Sequence, residues 1–561
     1  MIEPDPLKIL EDSLTAEGSP YALQEEAVRG SYCRSFRRGP RSILDIYIKA
    51  SSFGEALLAV YGDTSLTYRA AFADAGKFAA SLKTRFALAK ADRVGIALPN
   101  RLEVLVAFIA VTLAGGTPVL MESRNDEFHH RNCAMARCRL LIAMAQSGPG
   151  ATAVDPTSCS GIRVENLVTG ESVTWAECLS HEGLPRSSWV HAGTDEDALI
   201  ALTSGTSGRP KGVVHTHLGV VTGLMNMMLA GNFANPTTPR VSQKTTRPSR
   251  PCVLLLAPFA HVSGYTQLLL LMMLGGCLVL GQALAACEIA DVVARRKVRS
   301  IVGLTPGTAR RLLSFAAQYD LGSLGSFHVN GFALHENLVA AVAATLPQVV
   351  VGTSYGMTET GGSICALAGE ALRERPQSCG RVLPTVDVRV TGTDGREMPA
   401  GQVGEIWIRG AMLLREYCGQ GNEALGDGWL RTGDLGYVEV DRFLTVVDRL
   451  SDTITIDGRR ISCLDIERAL LRSHDLDEVA VFAVTEAGRA ILSIAAVAGR
   501  QEPDLESIRS LVRAEAGVEC VIVLHEELPR NSSGKVNYTT LSTLQQLEGH
   551  TPHGSARRNL S

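Results

Sequence analysis

The chain reads as an α/β protein: a large N-terminal domain of helix-flanked sheets plus a β-rich subdomain, and a small α+β domain at the C-terminal end. Three observations predict this. Apolar strand-like runs alternate with helix-like stretches between Ala71 and Pro306, the order expected of parallel sheets covered by helices. After Gly380 the pattern changes to strand alternation with a hairpin turn. From Arg449 a shorter unit begins, in which a capped amphipathic helix precedes two apolar strands.

The 561 residues exceed one ordinary domain. The expected division is a lead-in over 1–41, a large domain over 42–448, a small domain over 449–549 and a polar tail over 550–561. In the large domain, DRVGIALP (Asp92 to Pro99) is a buried strand, RLEVLVAFIAVTLAGG a helix ending in glycines, and TPVLME another strand. EIADVVARRKVRSIVGLTP repeats the order, with a strand from Ser300 to Leu304. The run Tyr265 to Gly281 is apolar, but Gly275 and Gly276 break it and it is short for a bilayer span, so it reads as helix, turn and strand. Pro236 to Pro251 is polar and proline-rich, a surface loop. VDVRVTGTDGREMP carries a strand and an Asp394-Gly395 turn, with VGEIWIRG and RFLTVVDR as further strands. In the last unit Ser462 and Asp465 cap a helix whose apolar face is Ile466, Ala469 and Leu470, followed by the strands AVFAV and SIAAVA.

Composition narrows the function classes. Hydrophobic residues make up 45% and charged residues 20%, with a net charge of −4 and no basic block to meet nucleic acid. The acidic start MIEPDPLKILEDSL has no apolar signal core. Thirteen cysteines without a CxxC pair point away from zinc ribbons and disulfide frameworks and fit a cytoplasmic location.

The segment LTSGTSGRPKGVVHTH carries the strongest chemistry. Thr203, Ser204, Gly205, Thr206, Ser207 and Gly208 precede Lys211. Small residues let the backbone approach an anion, hydroxyl and N–H groups donate to phosphate oxygens, and the lysine adds charge. It is not a Walker loop, because Gly212 follows the lysine where Ser or Thr would be required. GTSYG, Gly352 to Gly356, also fits a nucleophile elbow around Ser354, with His474 or His525 as base. The elbow needs a helix after it, and MTETGGS is a poor helix start.

TSGTSGRPKG resembles the phosphate loop of the adenylate-forming superfamily, which includes acyl-CoA synthetases, luciferases and peptide-synthetase adenylation domains. Four more motifs follow in family order: YGMTETGG, GWLRTGDLG, DRLSDTITIDGRRI and PRNSSGKVNY. The resemblance runs from about Ser42 to Tyr538 and is strongest to stand-alone acyl-CoA synthetases. It implies ATP, Mg²⁺ and coenzyme A as cofactors, a carboxylic acid as substrate, and a mobile small domain. It implies that Thr203 to Lys211 cradle the β- and γ-phosphates, and that Tyr355 stacks on adenine with Gly331 and Phe332 nearby. Thr358 and Glu359 would hold the α-phosphate and magnesium, Asp434 and Arg449 the ribose, and Lys535 the α-phosphate and attacking carboxylate. Taken singly, Asp434 also fits a turn cap and Lys535 a solvated loop lysine.

The resemblance places His261, Phe259, Val262, Gly264, Ala333, Gly352, Gly361 and Gly362 at the acyl pocket, with Gly331 beside them; His261 equally fits a satisfied core histidine. The small residues suggest a roomy site for a bulky or apolar acid. PFAHVSGY contains no acidic residue to meet a substrate amine. No segment reads as a carrier domain, so coenzyme A is the expected acceptor and a separate carrier protein the second. An adenylate-binding protein without turnover is disfavoured by Glu359, Asp434 and Lys535. The hinge departs from the family pattern: Ser451 stands where lysine or aspartate is usual, and Asp457-Gly458 where Gly-Gly is usual, Gly458 lining the thiol tunnel. That departure suggests an enzyme specialised for one half-reaction.

Overall fold

The computed structural model describes residues 6–145, 161–203, 210–233, 250–328, 336–421, 425–450, 454–456, 458–486, 489–499, 501–530 and 536–548. Among these, an eight-stranded sheet is built around Arg93–Ala97, which pairs in parallel with Thr117–Leu120 and Leu140–Met144. Asp197–Thr203 joins in parallel beside Thr117–Leu120, then turns back antiparallel into Lys211–Thr216, and Glu416–Tyr417 closes that edge. The expected helix Leu102–Leu113 connects the first two strands, is buried almost all round, and ends before Gly115, whose φ of 87° an L-residue rarely adopts.

A second, fourteen-stranded sheet begins as a parallel set. Cys277–Leu280, Cys252–Leu255, Ser300–Val302, Ser326–His328 and Val350–Met357 lie side by side. At Gly362–Ala368 it becomes antiparallel and continues without a break into Gly380–Val382, Phe443–Arg449, Trp429–Val438, Gly404–Arg409 and Asp387–Thr391. The β-rich subdomain is thus the antiparallel half of one sheet. The Asp394-Gly395 turn forms, with Gly395 at φ 80°, but only Thr391 bridges Glu397 across it. The main partner of Asp387–Thr391 is Gly404–Arg409.

The apolar run resolves as the helix Val262–Leu274, a left-handed cap at Gly275 (φ 71°), and the strand Cys277–Leu280. No described helix is long and apolar enough to cross a membrane. Residues 6–40 fold onto the large domain. Glu11 in the helix Pro6–Thr15 makes a buried ion pair with Arg381 at 3.3 Å, and Tyr21 and Phe36 enter the core. The C-terminal sheet pairs Leu476–Glu486 antiparallel and Cys520–His525 parallel with Arg489–Ala498. Its helix Cys463–Ser473 starts at Ser462, whose hydroxyl accepts from Asp465 N–H at 3.2 Å, and buries Ile466, Ala469 and Leu470. Arg468 donates to the Val446 carbonyl at 2.9 Å and Arg310 pairs with Asp477 at 3.0 Å, joining this unit to the larger one. The segment 236–251, except for its last two residues, and the tail after His550 lie outside the described residues.

Candidate active site

The phosphate-loop motif sits at the end of a hairpin. Thr203 and Lys211 are register partners, and Lys211 N–H donates to Thr203 Oγ1 at 3.4 Å, so the two ends of the motif lie side by side. Ser204, Gly205, Thr206, Ser207 and Gly208 lie outside the described residues, as do Gly331, Phe332, Ala333, Ser451 and Lys535. The loop bearing Lys535 is closed at its base by a bridge between Arg530 and Val536 and by Asn537 N–H donating to the Pro529 carbonyl at 2.7 Å.

YGMTETGG forms the switch from parallel to antiparallel sheet. Val350–Met357 runs to a single 3₁₀ turn, Thr358–Thr360, which Gly361 ends at φ 60°. Thr360 Oγ1 accepts from Met357 N–H at 3.0 Å and donates to the Gly362 carbonyl at 2.6 Å, locking the turn that carries Thr358 and the buried Glu359. No helix follows, and Ser354 is a strand residue hydrogen-bonded to Ser363 at 3.0 Å. His474 bonds Ser507 in the C-terminal unit at 3.1 Å, so the nucleophile-elbow alternative has no structural basis.

Two polar clusters meet at this turn. In the first, Asp434 is 5% exposed and lies directly opposite Arg449 on the neighbouring strand. Arg449 Nε donates to Asp434 Oδ1 at 2.7 Å, and the Tyr355 hydroxyl donates to Oδ2. Burial, then the Asp434 charge, pushes the Tyr355 phenol well up, so it remains a donor. In the second, the Tyr417 hydroxyl donates to Glu359 Oε1 at 2.8 Å, and Lys211 Nζ stands 4.9 Å from the centre of the same ring. Burial and the neighbouring Glu359 also push the Tyr417 phenol up. Glu359 Oε2 accepts no hydrogen bond among the described residues. One buried carboxylate with an open oxygen fits a magnesium ion, which keeps waters and takes its other ligands from substrate phosphates.

The residues expected at the acyl pocket separate into groups. Gly361 and Gly362 face the helix His217–Phe233. A side chain at Gly223 would meet the Gly361 carbonyl at 2.9 Å, and one at Gly362 would first meet Met227. Gly352 is a buried strand residue between His328 and Ala368. Phe259 is 1% exposed and packs edge-on against Phe108, so it supports its segment from within the core. Gly264 is glycine because a Cβ there would lie 2.4 Å from the Pro258 carbonyl. His261 precedes the helix Val262–Leu274, and its Nε2 lies 3.5 Å from Glu122 Oε1. Glu122 lies just after the strand Thr117–Leu120 of the other sheet, so an acidic group absent from PFAHVSGY reaches His261 from a distant part of the chain. Gly458 tips an exposed hairpin at φ 77° with open space around it.

Sequence reasoning missed four residues. Tyr417 and Glu122 carry no local motif, and the fully buried His215, which packs beneath Gly361, lies at the end of LTSGTSGRPKGVVHTH but was given no role there. Asn100 ties the two sheets together: its Nδ2 donates to the carbonyls of Ala257 and Gly281 at 2.9 and 3.0 Å, and its Oδ1 accepts from Phe259 N–H at 2.7 Å. A buried asparagine after a strand was the available signal.

A family model described as AMP-binding enzyme matches residues 48–418. Long-chain-fatty-acid–CoA ligase FadD13 of Mycobacterium tuberculosis is 28% identical over 510 residues, covering 86% of this chain and 95% of that protein. 2-Succinylbenzoate–CoA ligase of Bacillus licheniformis is 28% identical over 501 residues, covering 86% and 95%. The structure of o-succinylbenzoate CoA synthetase (MenE) from Bacillus subtilis with the acyl-adenylate OSB-AMP superposes with a TM-score of 0.71 at 22% identity, covering 88% and 97%.

Proposed function

The chain belongs to the AMP-binding enzyme family, and from that premise we propose that it is an ATP-dependent, AMP-forming ligase that joins a carboxylic acid to coenzyme A. The carboxylate attacks the α-phosphate of ATP, giving acyl-AMP and pyrophosphate; the thiol of coenzyme A then displaces AMP and leaves as the thioester. The observation that supports this reading is the convergence of Lys211 and Glu359 on Tyr417 beside the Tyr355–Asp434–Arg449 cluster.

Two anions must meet in the first step, so barrier lowering comes mainly from positioning and positive charge. In this reading Asp434 receives the ribose hydroxyls through lone pairs that Tyr355 and Arg449 leave unused. The turn at Thr358 and the hairpin ending at Lys211 receive the phosphates, with Glu359 on the magnesium. Lys535 brings a mobile point charge to the α-phosphate and the attacking carboxylate. Magnesium, when bound, supplies charge neutralisation at the phosphates. The acid is apolar or bulky, in keeping with the glycines along the site and with relatives named for long-chain fatty acids and 2-succinylbenzoate.

The body over 42–448 and the small domain over 449–549 rotate about Ser451, so that Lys535 leaves and Gly458 arrives between the two half-reactions. The enzyme works in the cytosol, where ATP and coenzyme A are at hand; no disulfide links the described cysteines. The test is a panel of fatty, aromatic and polycyclic acids with ATP, Mg²⁺ and coenzyme A, read by mass spectrometry for acyl-AMP and acyl-CoA. Adenylates that coenzyme A never discharges would replace it with another acceptor, and the absence of adenylate from every acid would overturn the reading.

A further inference from the structure

Five consecutive residues, Leu414 to Cys418, join two parts of the site that no single element holds. Leu414 N–H donates to the Glu359 carbonyl at 2.7 Å, Arg415 N–H to the Val214 carbonyl at 2.7 Å, and Cys418 N–H to the Gly212 carbonyl at 2.8 Å. Glu416 and Tyr417 are register partners of Val214 and Val213. This strap therefore binds both the strand that begins at Lys211 and the turn that carries Glu359.

One side chain on the strap reaches both functional groups. The Tyr417 hydroxyl donates to Glu359 Oε1 at 2.8 Å, and the face of its ring lies 4.9 Å from Lys211 Nζ. Lys211 and Glu359 have opposite charge, so the competing arrangement is a direct ion pair between them. Such a pair would draw the ammonium from the phosphates and the carboxylate from the metal. Tyr417 offers each group a different partner: a π-face for the cation and a proton donor for the anion.

We infer that Tyr417 is a positioning residue for the nucleotide step, keeping Lys211 and Glu359 apart and each aimed at its own ligand. The inference rests on the roles proposed above for Lys211 and Glu359. The ring is held in place by main-chain pairing on both sides, so its geometry precedes nucleotide binding.

The test compares Tyr417→Phe, which keeps the ring and loses the hydroxyl, with Tyr417→Leu, which loses both. Calorimetric titration with a non-hydrolysable ATP analogue is run with Mg²⁺ and again in EDTA. Tyr417→Phe should weaken magnesium–nucleotide binding about tenfold, the loss of one hydrogen bond to a charged group, and leave metal-free nucleotide binding within about twofold. Tyr417→Leu should weaken both. In a Glu359→Gln background the Tyr417→Phe effect on magnesium dependence should vanish. Wild-type magnesium dependence in Tyr417→Phe, or an equal loss in both titrations together with a lowered melting temperature, overturns the inference. No acid is needed for these titrations. A wild-type protein that binds magnesium–nucleotide but activates no acid sinks the ligase reading alone.

Discussion

Arg449 donates from Nε to Oδ1 of Asp434 at 2.7 Å, across two antiparallel strands that set the residues directly opposite one another. The pair lies at the last position of the strand Phe443–Arg449, immediately before Leu450 and the expected hinge. The carboxylate proposed to receive the ribose is thereby linked to the residue at which the small domain is proposed to begin.

Asp434→Asn removes the charge that makes these hydrogen bonds strong while keeping the shape. Affinity for AMP and ATP should fall about 10- to 100-fold, the range for losing one or two hydrogen bonds to a charged acceptor. Calorimetry with AMP checks this. Affinity like that of the wild type would remove Asp434 from nucleotide binding.

Lys535→Ala should slow acyl-AMP formation by on the order of 10²–10³, as for loss of one well-aimed transition-state donor. ATP binding should survive. Single-turnover measurement of acyl-AMP separates the two, and adenylation at the wild-type rate would exclude the lysine from the chemistry.

Ser451→Lys should change the ratio of the two half-reactions, because a charged hinge side chain can favour one orientation of the small domain. A bias of about 1.4 kcal/mol shifts that ratio tenfold. The measurement times ATP plus acid in one reaction and pre-made acyl-AMP plus coenzyme A in the other. Equal rates in both proteins would make the hinge departure neutral.

Acid should destabilise the fold through two buried histidines. Burial pushes His215 and His217 down to about 4 from 6.5. Between pH 6.5 and 4 the unfolded chain takes up protons that the folded chain refuses. Each contribution is complete above pH 6.5 and is lost as the pH falls through that window, on the order of 3 kcal/mol per residue. His217 Nδ1 accepts from Ile43 N–H at 3.3 Å, a bond that a glutamine oxygen can replace. His217→Gln should therefore flatten the fall of the urea midpoint between pH 6.5 and 4; an unchanged slope would show that His217 does not titrate in this way.

Asn100→Ala should cost about 2–4 kcal/mol, because it leaves buried main-chain groups of Ala257, Gly281 and Phe259 without partners. It should also raise KM for the acid more than for ATP, since those groups fix the segment before His261. Urea denaturation and the two KM values read this out, and an equal rise in both KM values would confine Asn100 to stability.

What the sequence by itself determined is local. The cap at Ser462, the left-handed turn at Gly275 and the helix Leu102–Leu113 depend on side chains within a few residues of one another, where periodicity and capping chemistry act. The ordered motifs likewise named Tyr355, Glu359, Asp434 and Arg449 as one set, and the fold draws Tyr355, Asp434 and Arg449 together. The tertiary structure alone decided which strands are neighbours. Alternation tells which face of a strand is buried but not which strand lies beside it, and pairing follows from crossovers and from burial of whole layers. For that reason the β-rich segment proved continuous with the parallel sheet, and Tyr417 met Glu359 across 58 positions. Asn100 reached Ala257 across 157, and Glu122 arrived at His261 from the segment that follows a strand of the other sheet. None of these contacts has a short-range signature, because each is made by residues that become neighbours only when both sheets have formed.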